Sequence, residues 1–314
     1  MITLLKGHAD WANRISWIQQ IEATGKSGYV KALSNHLESF GCAKGTLGIC
    51  DFETMPVYVY AGLQQAFPQA RLINAGDLLC RIRMIRSKWE LEFIEKAAQC
   101  ADLGFQAMLA AVKPGIPDTE LYLACEDAMI RAGAEPPSFI LLSSSQSFSE
   151  KGYGLPFAGC RRTLKKGDMI LDEITPSYGG YWAQLCCPIV IGPKIPEDLL
   201  AVFEIHKKMY DLAVSEIRPG VTFGQIHAKI KELGLSLGCD QTPAPWALHP
   251  LGLQIMDPIT PDTVLQPNMT FSVHPAAGHK GTYGGHTAGN TVVVTDSGSR
   301  ILNKVPFQIT QTAI

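Results

Sequence analysis

No stretch of this 314-residue chain stays apolar for the roughly 20 residues that a membrane-spanning helix needs. Its start, MITLLKGHADWANRISW, lacks the long apolar stretch and small-residue cleavage site of a secretory signal. Charge of one sign is also missing: 27 basic against 29 acidic residues leave a net charge of -2, so no global field recruits nucleic acid or an anionic membrane. There is no basic stripe interleaved with aromatics either, which argues against nucleic acid. The nine cysteines are odd in number and contain no C-x-x-C pair. That excludes a simple disulfide frame and points to reduced, mostly buried thiols in a cytoplasmic protein. What remains is 46% hydrophobic and 18% charged, a globular composition whose length suits one large domain plus a small one.

Residues 1–85 alternate short apolar and helical pieces. TLGICDF and ARLINAG read as strands around a helical PVYVYAGLQQAF, an incomplete α/β unit. From Leu91 to Val112 apolar residues recur at helical spacing until Pro114-Gly115 stops them. An internal repeat organises the rest. AAVKPGIPDTELYLACEDAMIRAG (110–133) is echoed by SEIRPGVTFGQIHAKIKELG (215–234). Each copy is the end of a long helix, a basic-Pro-Gly stop, a polar N-cap (Asp118 or Thr222) and a second amphipathic helix. Strand-like FILLSSS and DMILDEI follow the first copy, MTFSVHPA and NTVVVT the second. The reading is α+β: two pseudo-equivalent halves, helix pairs over a curved, mostly antiparallel sheet, with the site on its concave face between the halves. Residues 86–314 make this domain. GTYGGHTAGN is Gly-rich but lies in no strand-to-helix phosphate loop, so a nucleotide site is not expected.

Several ordered motifs in this domain carry a resemblance. RMIRSKWELEFI, LKKGDMILDEITPSYGGYWAQ, ALHPLGL followed by MDP, LQPNMTFSVHP and GNTVVVTDSG resemble, in order, the first long helix and the site motifs of the pita-bread family. That family includes creatinase, aminopeptidase P, prolidase and methionine aminopeptidase. The resemblance implies the pita-bread fold, with residues 1–85 as a truncated creatinase-type N-terminal domain, and a homodimer. The family's hydrolases hold two divalent cations with two Asp, one His and two Glu. Carried over singly, those positions fall on Glu173, Gln184, His249, His274 and Gly289, with Asn290 beside the last. The proton-handling histidine upstream falls near Pro156, and a second histidine near Met256.

Two neighbouring cations without bridging carboxylates leave their repulsion uncompensated, so a dinuclear centre is not expected. The expected cofactor is none; the alternative is one divalent ion, Fe, Mn or Zn, on Glu173, His249 and His274, with Gln184 as a weak fourth ligand. Catalytic candidates are Glu173, His249, His274 and His286. Substrate-binding candidates are Gln184, Cys186, Tyr181, Tyr153 and Asn290. On a strand Gln184 and Cys186 share a face and Cys187 points away, so Cys186 reads either as an imidazole-paired thiolate or as an inert buried thiol. Arg161 and Arg162 are weighed as carboxylate binders, and His8, His36, His206 and His227 as surface residues. The functional expectation is a creatinase-like hydrolase or lyase acting on a small polar metabolite through a C–N or related bond. The alternatives are an Xaa-Pro aminopeptidase or dipeptidase-like metallohydrolase and a non-catalytic binding module.

Overall fold

The computed structural model describes residues 2–5, 8–25, 28–50, 52–146, 161–239, 248–276, 278 and 288–313. The chain divides into two compact units, Met1–Ile82 and Arg83–Ile314.

In the first unit, β1 (Ile2–Leu5) precedes α1 (Ala9–Ile15), and β2 (Ile21–Thr24) pairs with β1 in parallel. After α2 (Tyr29–Ser39), β3 (Thr46–Ile49), α3 (Val57–Ala66) and β4 (Arg71–Asn74) form a small βαβ unit whose strands are again parallel. Val59, Leu63 and Phe67, at helical spacing from α3 onward, make its core with Leu33, Leu37 and Leu47. The strand–helix–strand reading of TLGICDF, PVYVYAGLQQAF and ARLINAG matches these elements; β1 and β2 had no signal strong enough to read. Helix α4 (Gly76–Arg83) leads out of the unit.

The second unit opens on α5 (Lys88–Ala111), whose capping box is closed by Ser87 and Glu90. Then come α6 (Thr119–Arg131), β5 (Glu135–Ser145), β6 (Met169–Tyr178), β7 (Tyr181–Trp182), β8 (Leu185–Cys186) and β9 (Ile189–Val190). The second half repeats the plan with α7 (Glu197–Glu216), α8 (Phe223–Ser236), β10 (Leu248–Pro250), β11 (Thr270–Val273), β12 (Gly289–Val294), β13 (Ser299–Ile301) and β14 (Thr310–Gln311). The repeat is physical as well as textual. The Pro-Gly stops place Gly115 and Gly220 at φ 90° and 87°, and their amides donate to Leu164 and Leu265, 2.8 and 3.0 Å away. Among the described residues ten strands form one sheet, ordered β10-β11-β12-β8-β6-β9-β14, with β5 and β7 on β6 and β13 on β12. All its pairings are antiparallel except β9 with β14. One apolar cluster packs α5 and α6 on β5, β6, β8 and β9, and a second packs α7 and α8 on β10–β12.

Two local expectations change. Asp118 occupies the N-cap of α6 without capping it; its Oδ2 accepts from the Ser144 hydroxyl at 3.1 Å. His206 is fully buried. It lies four residues after Val202 and four before Tyr210, within the apolar stripe of α7. His36 pairs with Glu22 at 2.8 Å, and His227 packs its ring at a tilt against Phe223 and contacts the Leu248 carbonyl.

Candidate active site

Strand register alone assembles the site. Leu248 lies opposite Val273, Val273 opposite Asn290, Asn290 opposite Leu185, and Leu185 opposite Ile174. Opposed residues share a face, so these five form one row, with its leucines, Ile174 and Val273 in the helix-packed clusters. Their chain neighbours are His249, His274, Gly289, Cys186 and Glu173, which therefore point to the other face. Five residues spread over 117 positions meet because each stands next to a core residue.

Distances tighten this row. The rings of His249 and His274 stand edge-on with centroids 5.0 Å apart. A Cβ added to Gly289 would come within 2.4 Å of the His274 Cβ and 2.7 Å of the Val273 carbonyl, so no side chain fits there. The Gln184 side chain hydrogen-bonds the Glu173 carboxyl. Gln184 is held through its backbone: its N–H donates to the Thr291 hydroxyl at 2.7 Å, which donates back to its carbonyl at 2.9 Å. Glu173, Gln184, Cys186, His249 and His274 are all buried.

Burial then sets the protonation states. It raises Glu173 from 4.5 to about 7, against the opposing pull of the Gln184 hydrogen bond. It lowers His249 to about 4, only partly offset by hydrogen bonds to the backbone of Pro250 and Ile255. Because Nδ1 of His249 lies 3.2 Å from the Pro250 carbonyl, which can only accept, that nitrogen carries the proton. The Cys186 thiol is pushed well above its ordinary value, first by burial and then by Glu173, Asp172 and Cys187. A neutral thiol is neither nucleophile nor ligand at neutral pH. Burial thus poises Glu173 to exchange a proton near pH 7.

The donor set does not fit two cations. Glu173 is the single carboxylate of the row, Gln184 is neutral, and position 289 has neither a donor nor room for one. Among the described residues, no group of three or more His, Cys, Asp or Glu side chains is placed to hold a metal ion.

The remaining expectations separate. Asn290 sits on the helix side, where its Oδ1 accepts from the Tyr210 hydroxyl at 2.9 Å and its Nδ2 donates to the Val305 carbonyl at 3.2 Å. Adjacent strand residues cannot share a face, so Asn290 does not replace the carboxylate missing at Gly289. Tyr181 donates to Glu90 Oε1 at 2.9 Å and stacks on Phe93, which ties it to α5. Arg162 is paired with Asp168. Tyr153 and His286 lie outside the described residues. Sequence reasoning missed Ser272, which faces His249 across β10–β11 and whose buried hydroxyl has no partner among the described residues. The signal was available: Ser272 stands two residues before His274.

Comparisons with known proteins agree with this frame. The sequence matches metallopeptidase family M24 over residues 92–296. It is 24% identical over 303 residues to a creatinase from Bacillus sp., covering 90% of this chain and 72% of that protein. An Xaa-Pro dipeptidase from Pyrococcus furiosus is 25% identical over 237 residues, 74% of this chain and 67% of that one. Among solved structures, prolidase from Thermococcus sibiricus superposes with a TM-score of 0.84 at 20% identity, over 99% of this chain and 84% of the other. X-Pro aminopeptidase from Thermotoga maritima gives 0.79 at 18%, over 99% and 87%. A sheet built of two repeated halves and this match lead to one assignment: the chain has the pita-bread fold and belongs to metallopeptidase family M24.

Proposed function

We propose that this chain is a creatinase-like hydrolase or lyase that cleaves a C–N or related bond of a small polar metabolite without the dinuclear metal centre of the family's peptidases. The observation that carries this reading is the Glu173–Gln184 pair: a buried carboxyl raised to about 7 and hydrogen-bonded to an amide, beside a closed Gly289. In hydrolysis, water adds to the carbon as the C–N bond breaks. Glu173 supplies a proton to the leaving nitrogen and regains one from the water. Gln184 Oε1 is buried without a partner among the described residues, so it offers an acceptor to a substrate N–H. The neutral His249 hydrogen-bonds rather than charging the pocket.

The peptidase reading is favoured by the likeness to the Pyrococcus furiosus Xaa-Pro dipeptidase. Metal analysis of the purified protein, with a screen of small amides, guanidines and dipeptides with and without Mn(II), decides between them. The proposal expects at most one divalent ion per chain and turnover of a small amide or guanidine. Two tightly held equivalents, or Mn(II)-dependent Xaa-Pro cleavage, overturn it. The proposed assembly is a homodimer, consistent with the exposure of Trp17 (90%) and Phe40 (76%) in the first unit. Light scattering that shows a monomer at micromolar concentration overturns that part.

A further inference from the structure

We propose that Arg86 is a positioning residue: through Leu251 and Asp257 it clamps the loop 250–257 that fixes the ring of His249. Arg86 is buried, as is Asp257. Its Nη2 donates to the Leu251 carbonyl at 2.9 Å and to Asp257 Oδ2 at 2.7 Å. Its Nη1 turns back onto the Arg83 carbonyl. Arg83 Nη2 reaches the other oxygen of Asp257 at 2.6 Å. One carboxylate therefore receives two guanidinium groups, both from the segment just before α5.

The loop is fastened from other sides as well. The Trp182 amide donates to the Gly252 carbonyl at 2.8 Å, and the Thr270 hydroxyl to the Leu251 carbonyl at 2.6 Å. The Asp257 amide closes the loop on the Pro250 carbonyl at 3.3 Å. That same carbonyl accepts from His249 Nδ1, and the second backbone contact of His249 comes from Ile255, also in the loop. Both backbone groups that orient the ring thus belong to the clamped segment. A planar fork with several fixed donors suits this task, which a single-point ammonium does not.

Gly252 shows how closely the parts fit. A Cβ at this position would lie 1.9 Å from Arg86 Nη2 and 2.3 Å from its Cζ. The loop backbone lies against the guanidinium with no space for a methyl group. The inference goes beyond the proposed reaction, because it holds for whatever substrate the site takes.

The test reads the His249 ring directly. With the protein labelled by 15N-histidine and the signal assigned through His249→Gln, long-range 1H–15N spectra report the tautomer. The wild type is expected to show one tautomer, protonated at Nδ1. Arg86→Met is expected to show both, with exchange of the Gly252 and Asp257 amides accelerated by about 100-fold, the local-opening range. Arg162→Met, which breaks the Arg162–Asp168 pair elsewhere in the same unit, serves as the control for general destabilisation and should leave the ring unchanged. Should Arg86→Met not fold, Gly252→Ala decides, because it keeps every charge and displaces the guanidinium. A single Nδ1-protonated tautomer in the folded variant overturns the proposal, as does an Arg162→Met protein that mixes tautomers equally.

Discussion

Asn290 and Gln184 are buried amides on one sheet, and the molecule treats them differently. Asn290, on the helix-covered face, has both ends bonded, to Tyr210 and to Val305. Gln184, on the other face, bonds Glu173 and leaves Oε1 without a partner among the described residues. The hydroxyls of Ser272 and Thr175 are likewise buried and unpartnered there. Buried polar groups are almost always satisfied in a folded chain, so unmet ones on the site face, such as Gln184 Oε1 and the Ser272 and Thr175 hydroxyls, suit a ligand or ordered water. On the proposed reading the row beginning at Glu173 serves the reaction, while the helix-covered face packs the core and keeps an unmet group of its own among the described residues, Asp172 Oδ2, although the two alternate residue by residue.

The largest effect that would sharpen this division is on turnover. Glu173→Gln keeps the shape and removes the proton. It should lower turnover of a substrate found in the screen by about two to four orders of magnitude. Urea unfolding should show no loss of stability at pH 7, since the variant also removes a carboxyl whose ionised form burial disfavours. Undiminished turnover would return the chemistry to the histidines.

A second test uses pH. Glu173 binds its proton more tightly folded, at about 7, than at its ordinary 4.5. Its contribution to stability is therefore full below 4.5 and is lost as pH rises towards 7. His249 is the reverse: about 4 when folded against 6.5 ordinarily, so stability is gained as pH rises from 4 to 6.5. Between 4.5 and 6.5 the two slopes oppose each other. Each variant should unmask the other group, by up to about 3 kcal/mol across its window. Stability of Glu173→Gln should climb more steeply than the parent's from pH 4 to 6.5. That of His249→Gln should fall between 4.5 and 7. Chemical denaturation curves that stay parallel to the parent's across this range would show that neither group titrates as described.

The amides themselves come next. Asn290→Leu strands the Tyr210 hydroxyl and the Val305 carbonyl and should cost about 1–3 kcal/mol in urea unfolding. Its effect on turnover should be small. Gln184→Leu should do the opposite, changing stability by less than about 1 kcal/mol while raising KM. Gln184→Asp should weaken substrate binding by about 1–3 kcal/mol. It should create no Mn(II)-dependent peptidase, because position 289 still has no room for a second carboxylate. Equal stability losses for Asn290→Leu and Gln184→Leu would erase the distinction between the faces.

Much of this was legible in the sequence, for reasons specific to each element. The helix pairs were readable because Pro114-Gly115 and Pro219-Gly220 punctuate them and Thr222 closes a capping box with Gln225. Glu173, Gln184, His249 and His274 came through the resemblance, since motif spacing survives where ligands do not. Asn290 came with them because it stands beside Gly289, and on a strand one residue along is the other face. Tyr181 carried no local sign that its hydroxyl would go to Glu90, 91 positions earlier. Arg86 and Asp257 are 171 apart, and no periodicity links them.

The smallest expected effect concerns Cys186, where the two readings of the thiol diverge. It shares the site face, lies opposite Gly289 and is close enough to Glu173 to feel its charge. A thiolate nucleophile needs a neighbouring cation or an exposed setting to lower its pKa, and here burial and nearby acids push the other way. Cys186→Ala should therefore change turnover by less than about threefold and stability by about 1 kcal/mol, the cost of a small buried group. Iodoacetamide should label the exposed Cys50 readily and leave Cys186 unmodified in the folded protein. Rapid alkylation of Cys186 with parallel loss of turnover would make it the nucleophile, and Glu173 would then be its base rather than the proton donor to the leaving group.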